Sequence, residues 1–327
     1  MRSNVVAYTL RSHFLFPINP ICNMLKKSLL YLFTALALVA CSDDDDDNIS
    51  TNTNANNAKI ENTNSNPAKV EKAYSRLEFP KIGNTSKNII LVHETANGEI
   101  NYCVEWDINK KSQRWSCYQM YKSIMEQNTD RYQGNPQYPQ DPQLPVEYRW
   151  TTDPFRGTGY DHGHICPSAD RLQSKEGNYQ TFYLTNMQPQ RNGFNARVWA
   201  NMETKVRNWA KQNNYTFCDT MYVCKGGTID NKSQIMTTLP NGLIVPKYFY
   251  MAILISKKQP SGATKYDAMA FWIEHAEGSD NGKALAKYVI SIDELEQKTG
   301  IDFFCNLPDD IERKVESTVN MKLWGYN

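Results

Sequence analysis

Residues Tyr160-Asp-His-Gly-His-Ile-Cys-Pro-Ser-Ala-Asp-Arg171 decide how this chain is to be read, together with Tyr183-Leu-Thr-Asn-Met-Gln-Pro-Gln-Arg-Asn-Gly-Phe-Asn-Ala-Arg-Val-Trp-Ala-Asn-Met-Glu-Thr-Lys-Val-Arg207. Histidine is scarce, with five in the chain, yet His162 and His164 fall side by side around a glycine that lets the backbone bend. Imidazole titrates near neutrality, which suits a group that must take a proton from water at physiological pH. Taken alone, Asp161-His162-Gly163-His164 fits a turn with a satisfied histidine equally well.

The second stretch reads as a helix from Ala196 to Gln212, because Trp199, Met202, Val206, Trp209 and Ala210 recur at helical spacing. If the helical turn reaches back to Asn195, that amide falls near the middle of the apolar face, with Glu203 at its flank. A buried amide needs a partner, since leaving it unsatisfied costs roughly 1–3 kcal/mol. A hard cation such as Mg2+ is one such partner. Eight residues of helix put Asn195 and Glu203 about 12 Å apart along the axis. Asn195 would then bind the ion and Glu203 would hold waters around it. The alternative is that Asn195 caps the helix and Glu203 pairs with Arg207 one turn on.

Outward from this centre, Asn88–Glu94 and Tyr102–Ile108 flank Asn97-Gly98, a hairpin signal, and Cys117 lies on an expected third strand. Further strand-like runs are Thr181–Leu184, Met221–Cys224, Tyr248–Ile255 and Ala268–Ile273. Ser291 with Glu294 marks a second helix start by its capping-box pattern. The proline-rich stretch 127–147 reads as a surface loop. Strands mixed with a few helices, without regular βαβ alternation, give an α+β class with a mostly antiparallel sheet.

The N-terminus reads as an address. Met24 to Cys41 has a basic start, an apolar run and small residues before a cysteine, a secretory signal too short to span a membrane. Leu38-Val-Ala-Cys41 resembles a bacterial lipobox, making Met24 the expected start and Cys41 the lipidated residue. Residues 1–41 are thus expected to be a signal peptide and 42–72 an acidic, Asn/Thr-rich tether. Residues 73–327 are expected to form the folded domain. Five aspartates after Ser42 fit either a surface-sorting tag or a solvated spacer. The expectation is an exported outer-membrane lipoprotein facing outward, held to the membrane by its anchor. In that oxidising setting, Cys103, Cys117, Cys166, Cys218, Cys224 and Cys305 are expected to pair, Cys103 with Cys117 favoured across adjacent strands. A zinc site is disfavoured for want of a close ligand pair. The net charge of +1 does not by itself nominate a polyanion as partner.

The ordered set D-x-G-H-x-x-P-S-A-D-R, then N-M-x-P-Q, then an Asn and a Glu eight apart around a Trp, resembles the DNA/RNA non-specific endonuclease family. Gly242-Leu-Ile-Val-Pro-Lys-Tyr-Phe249 and Ile290 to Phe304 extend the likeness, so that it covers about residues 77 to 318. The resemblance implies a ββα-metal nuclease fold, a hairpin and helix clamping one divalent ion against a central sheet flanked by helices. It implies His164 as general base, Asn195 as direct ligand of Mg2+ (with Mn2+ as a substitute) and Glu203 as organiser of water around the ion. Asp161 fills the motif's acidic position, while Asn186 and Gln190 support the loop leading to Asn195. His162 stands where the family usually has arginine, and is expected to weaken phosphate contact or make it pH-dependent. Arg149 is the expected upstream phosphate-contacting arginine. The activity implied is hydrolysis of DNA and/or RNA with little sequence preference. Two other readings stay open: a catalytically silent surface-binding lipoprotein of the same fold, and a phosphodiesterase for small substrates.

Overall fold

The computed structural model describes residues 61–67, 71–83 and 86–326. The signal peptide, Cys41, Met24 and the acidic run lie outside the described residues. Among the described residues no helix is long and apolar enough to cross a membrane.

In chain order the strands are β1 Asn88–Glu94, β2 Ile100–Asp107, β3 Ser112–Met120, β4 Asp161–His164, β5 Met187–Gln190, β6 Thr220–Gly227, β7 Ile235–Thr238, β8 Ile244–Pro246, β9 Tyr248–Lys258, β10 Thr264–Glu274 and β11 Val289–Ile290. The helices are α1 Lys175–Gln180, α2 Ala200–Tyr215, α3 Ile292–Thr299 and α4 Asp309–Glu316. Seven strands form one sheet in the order β1-β2-β3-β6-β9-β10-β11, antiparallel at every step. β1 and β2 turn at Asn97-Gly98, where Gly98 takes the positive φ of 78° that a side chain would resist.

Side chains alternate between two cores, as a period of two demands. From β9, Phe249, Met251, Ile253 and Ile255 enter a core with Trp199, Met202, Val206 and Trp209 of the helical layer. Tyr250, Ala252 and Leu254 face the other way, onto Ile292 and Leu295 of α3 and Val315 of α4. Burial on both faces explains why Tyr248–Ile255 reads as a nearly unbroken apolar run.

Ser291 caps α3 by accepting from Glu294 N at 3.1 Å. The strand expected over Thr181–Leu184 is not formed: Thr181 closes α1 and Leu184 opens a 3-10 turn, so that run owes its apolar character to burial in turns. Part of the segment read as tether is built into the fold. Asn62 donates to Leu307 O at 2.7 Å, Asn64 to Asp302 at 2.8 Å and Asn66 to Pro80 O at 2.9 Å. The expected disulfides are absent: all six cysteines are buried free thiols, although Cys103 does stand opposite Cys117, and Cys117 opposite Cys224.

Candidate active site

β4 and β5 form a separate antiparallel hairpin with Asp161 opposite Gln190, His162 opposite Pro189, Gly163 opposite Gln188 and His164 opposite Met187. Asn186 holds it in place from a fully buried position. Its amide accepts from Cys166 N at 2.8 Å and donates to Cys166 O at 2.9 Å and Thr181 O at 2.8 Å. Gln190 is also fully buried, and its side chain lies where a methyl group on Gly163 would have to go. Asn186 and Gln190, read as supports from the sequence, thus both lie buried at this hairpin, Asn186 with three hydrogen bonds and Gln190 with none from its side chain.

After β5 the chain enters a π-helical turn, Phe194–Trp199, which runs directly into α2. The wider turn was not legible in the helical spacing, and such turns are frequent at functional sites. It is anchored by His275, which is fully buried. His275 Nδ1 lies 2.9 Å from Pro246 O, and Nε2 accepts from Arg191 N at 2.7 Å. Arg191 O in turn accepts from Asn195 N at 2.8 Å.

Hairpin, π turn and α2 enclose a cavity of about 430 Å3, lined among others by Asp161, His162, His164, Asn195 and Glu203. Residues expected to act together thus converge. Asp161 Oδ2 accepts from Asn195 Nδ2 at 3.0 Å and from Asn192 Nδ2 at 3.1 Å. With its amide nitrogen committed to Asp161, Asn195 leaves its oxygen for the cavity. Glu203 does not pair with Arg207. Lys225, with no exposure, donates to Glu203 Oε1 at 2.6 Å and lies 4.8 Å from the Trp199 ring, while Arg207 bonds Asp170 at 2.6 Å. Burial pushes the Glu203 carboxyl above its usual range, and Lys225 pulls it back.

His164 keeps its ring at the cavity wall, but Nε2 is closed off from solvent and has no hydrogen-bond partner. Its ring stands edge-on to Phe182 at 4.8 Å. Burial, with Arg131 adding positive charge, drives the imidazole down to about 3, against a hydrogen bond to the His162 backbone. His164 is therefore neutral across the physiological range.

His162 is held differently. It stacks between Tyr138 at 3.6 Å and Phe155 at 4.2 Å, and its Nε2 lies 3.0 Å from both oxygens of Asp153. Burial keeps it below its ordinary range despite Asp153. Its Nε2 is committed to Asp153 rather than to an incoming phosphate.

Arg149 is not at the cavity. It donates to Leu144 O at 2.5 Å and Pro142 O at 2.9 Å, tying down the proline-rich loop. The guanidinium that lines the cavity is Arg131, 4.7 Å from the Phe182 ring and with no carboxylate partner among the described residues. Sequence reading missed it, and missed Lys225, because each reaches the site from an element whose place only the tertiary fold decides.

The donor set fits a hard divalent cation: an amide oxygen held toward the cavity by Asp161, and the carboxylate of Glu203, with no sulfur or imidazole ligand required.

A model of the family described as DNA/RNA non-specific endonuclease matches residues 84–310. Among characterised proteins, Nuclease C1 of Cunninghamella echinulata var. echinulata is 26% identical over 210 residues, covering 63% of this chain and 81% of its own. A nuclease of Nostoc sp. is 29% identical over 222 residues, 67% of this chain and 76% of its own. Human mitochondrial endonuclease G is 22% identical over 215 residues, 63% and 68% respectively. Among solved structures, a crystal structure of the EndoG/EndoGI complex superimposes with a TM-score of 0.55 at 21% identity, covering 70% of this chain and 90% of the other.

Proposed function

This chain belongs to the DNA/RNA non-specific endonuclease family, and from that premise we propose that His164 is the general base and Asn195 the metal ligand of its phosphodiesterase centre. The enzyme is a metal-dependent nuclease of low sequence preference, on a ββα-metal fold. The observation that carries the assignment of roles is the unpartnered Nε2 of His164 at a cavity it shares with Asn195, Glu203 and Arg131.

Asn195 would hold Mg2+, with Mn2+ as a substitute, and Glu203 would orient water around the site. Such an ion supplies positive charge beside the phosphodiester and its leaving oxygen. His164 would take a proton from the attacking water through Nε2, an atom that has no solvent contact here and must be opened to the cavity for the step. An imidazole at about 3 is a weak base, held there by burial first and by Arg131 second; an arriving phosphate that offsets the charge of Arg131 reverses only the second of these. Asp161 fixes the Asn195 amide so that its oxygen faces the cavity. Lys225 holds the Glu203 carboxylate in one place. Arg131 offers the phosphate a guanidinium with no carboxylate partner among the described residues, at a cavity where His162 supplies none. Contact made mainly with the sugar–phosphate backbone would leave cleavage tolerant of sequence.

Digestion of single- and double-stranded DNA and RNA in Mg2+, with and without chelator, tests this reading. His164→Ala should lose about 10²–10⁴-fold in kcat, and Asn195→Ala should bind the ion more weakly. Full activity in either variant would overturn the corresponding role. The proposal extends to location. The Met24–Cys41 pattern supports an outward-facing lipoprotein of the outer membrane. Fatty-acid labelling that does not depend on Cys41 would refute it.

A further inference from the structure

On the face of the sheet opposite the nuclease cavity, α3 and α4 bring together carboxylates that the reaction does not use. Asp293 and Glu296, three residues apart, project from one side of α3. Glu312 and Glu316, four apart, project from one side of α4. One ligand oxygen from each of Asp293, Glu296 and Glu316 falls within 4.8 Å of the others.

The cluster lacks counter-charge. Of the basic side chains on the same two helices, Lys298 pairs with Glu294 at 3.3 Å and Arg313 with Asp310, while Lys314 is exposed and pairs with none of the cluster. No described lysine, arginine or histidine forms an ion pair with Asp293, Glu296, Glu312 or Glu316. Glu316 also ends α4, where the helix dipole is negative and disfavours a carboxylate. A second observation points to a ligand. Glu316 is only 6% exposed, and its Oε1 has neither solvent contact nor a hydrogen-bond partner. Burial, with Glu296 and Glu312 beside it, pushes the Glu316 carboxyl up to about 10, so that it holds a proton unless a cation between the three carboxylates takes that proton's place.

We propose that Asp293, Glu296 and Glu316 form a second, structural cation site for Ca2+, which joins α3 to α4. The oxygens are hard donors. A Ca2+–oxygen distance of about 2.4 Å lets opposed ligands stand up to roughly 4.8 Å apart, whereas Mg2+ at about 2.1 Å needs a tighter cage. The partial exposure of Asp293 and Glu296 leaves room for the waters that complete a Ca2+ shell. Glu296 already uses one oxygen to accept from Phe303 N at 2.7 Å, which holds it in place.

The test is thermal unfolding of the metal-stripped protein titrated with Ca2+, using Asn195→Ala as background to remove the nuclease ion. That background should still gain on the order of 5–10 °C in Tm at a hundredfold excess of Ca2+ over Kd. Adding Glu316→Gln should abolish the gain and raise Tm in chelator, because repulsion among the carboxylates falls. If Glu316→Gln does not fold, Asp293→Asn on the exposed side makes the same comparison and should weaken Ca2+ affinity at least tenfold. No Ca2+-dependent shift in the Asn195→Ala background, or an equal shift with either carboxylate replaced, overturns the site. Nuclease activity is not read, so failure here leaves the catalytic assignment standing.

Discussion

Lys225 donates its ammonium to Glu203 Oε1 at 2.6 Å from a position with no solvent exposure, joining the central sheet to the helix that walls the cavity. Lys225 lies on β6 and Glu203 on α2, so one bond sets the position of the carboxylate relative to the sheet. The pair is costly to break from one side. Lys225→Met leaves Glu203 mostly buried without its cation, a loss of about 3–5 kcal/mol. The urea midpoint should fall, and kcat with it. Lys225→Met combined with Glu203→Gln should regain most of the stability and none of the activity. A single variant as stable as the parent would show that the pair is not tightly coupled.

Gly163 is the second point where geometry leaves little freedom. A Cβ at this position would overlap the Gln190 side chain on the paired strand. Gly163→Ala therefore forces the hairpin open beside His164, an overpacking cost of about 1–3 kcal/mol. Activity should fall more than tenfold. Trimming the obstacle with Gln190→Ala in the same chain should restore a good part of it. If the double variant is no better than the single one, the contact is not what demands glycine.

These two sites differ in how far the sequence discloses them. Asp161, His164, Asn195 and Glu203 are legible because each has a fixed place in a motif, and the fold brings all four to one cavity. The β1–β2 hairpin is legible because Asn97-Gly98 encodes its own turn, and β9 because burial on both faces leaves an unbroken apolar run. Lys225 is not legible, since a lysine in Val223-Cys-Lys-Gly-Gly227 reads as a solvated strand position until α2 covers it. The π turn at Phe194–Trp199 is hidden for a related reason. The apolar spacing of α2 fits a regular helix, and the extra residue per turn is set by the His275–Arg191 anchor from far along the chain. Arg131 is not legible either: the family resemblance points to an upstream arginine and Arg149 fits that description, but only the path of the proline-rich loop brings Arg131 to the cavity.

His275 gives a pH dependence with a definite sign. Burial, with Arg191 adding to it, lowers the ring to about 4 against the bond to Pro246 O. Its neutral form suits both contacts, because Nδ1–H donates to Pro246 O and Nε2 accepts from Arg191 N. The unfolded chain takes up this proton near 6.5, the folded one near 4. The contribution of His275 is thus fully present above about 6.5 and is lost as the pH falls toward 4. Against His275→Gln, which does not titrate, the stability advantage of the parent should shrink on acidification by about 1.4 kcal/mol per pH unit within that window. Carboxylates common to both proteins cancel in the difference. Chemical denaturation at pH 7, 6 and 5 measures it, and an advantage that stays constant would mean the ring is not held neutral.

Arg131 and Arg149 separate catalysis from loop stability. Arg131 lines the cavity beside Phe182 with no acidic partner among the described residues, whereas Arg149 spends its donors on the carbonyls of Leu144 and Pro142. Removing Arg131 takes away a guanidinium available to a phosphate and, for the fold, one stacking contact with Phe182. Arg131→Ala should lower kcat/KM on DNA at least tenfold and flatten its salt dependence, because one fewer phosphate contact is made. The Tm should fall by no more than about 2–4 °C, the worth of its contact with Phe182. Arg149→Ala should do the reverse, leaving kcat/KM within about twofold and costing about 1–2 kcal/mol as two carbonyls lose a charged donor. Salt-dependent kinetics and thermal melts on the two variants decide the matter. A catalytic defect confined to Arg149→Ala would return the phosphate-binding role to the arginine that the family resemblance implies, and would require the proline-rich loop to rearrange when substrate binds.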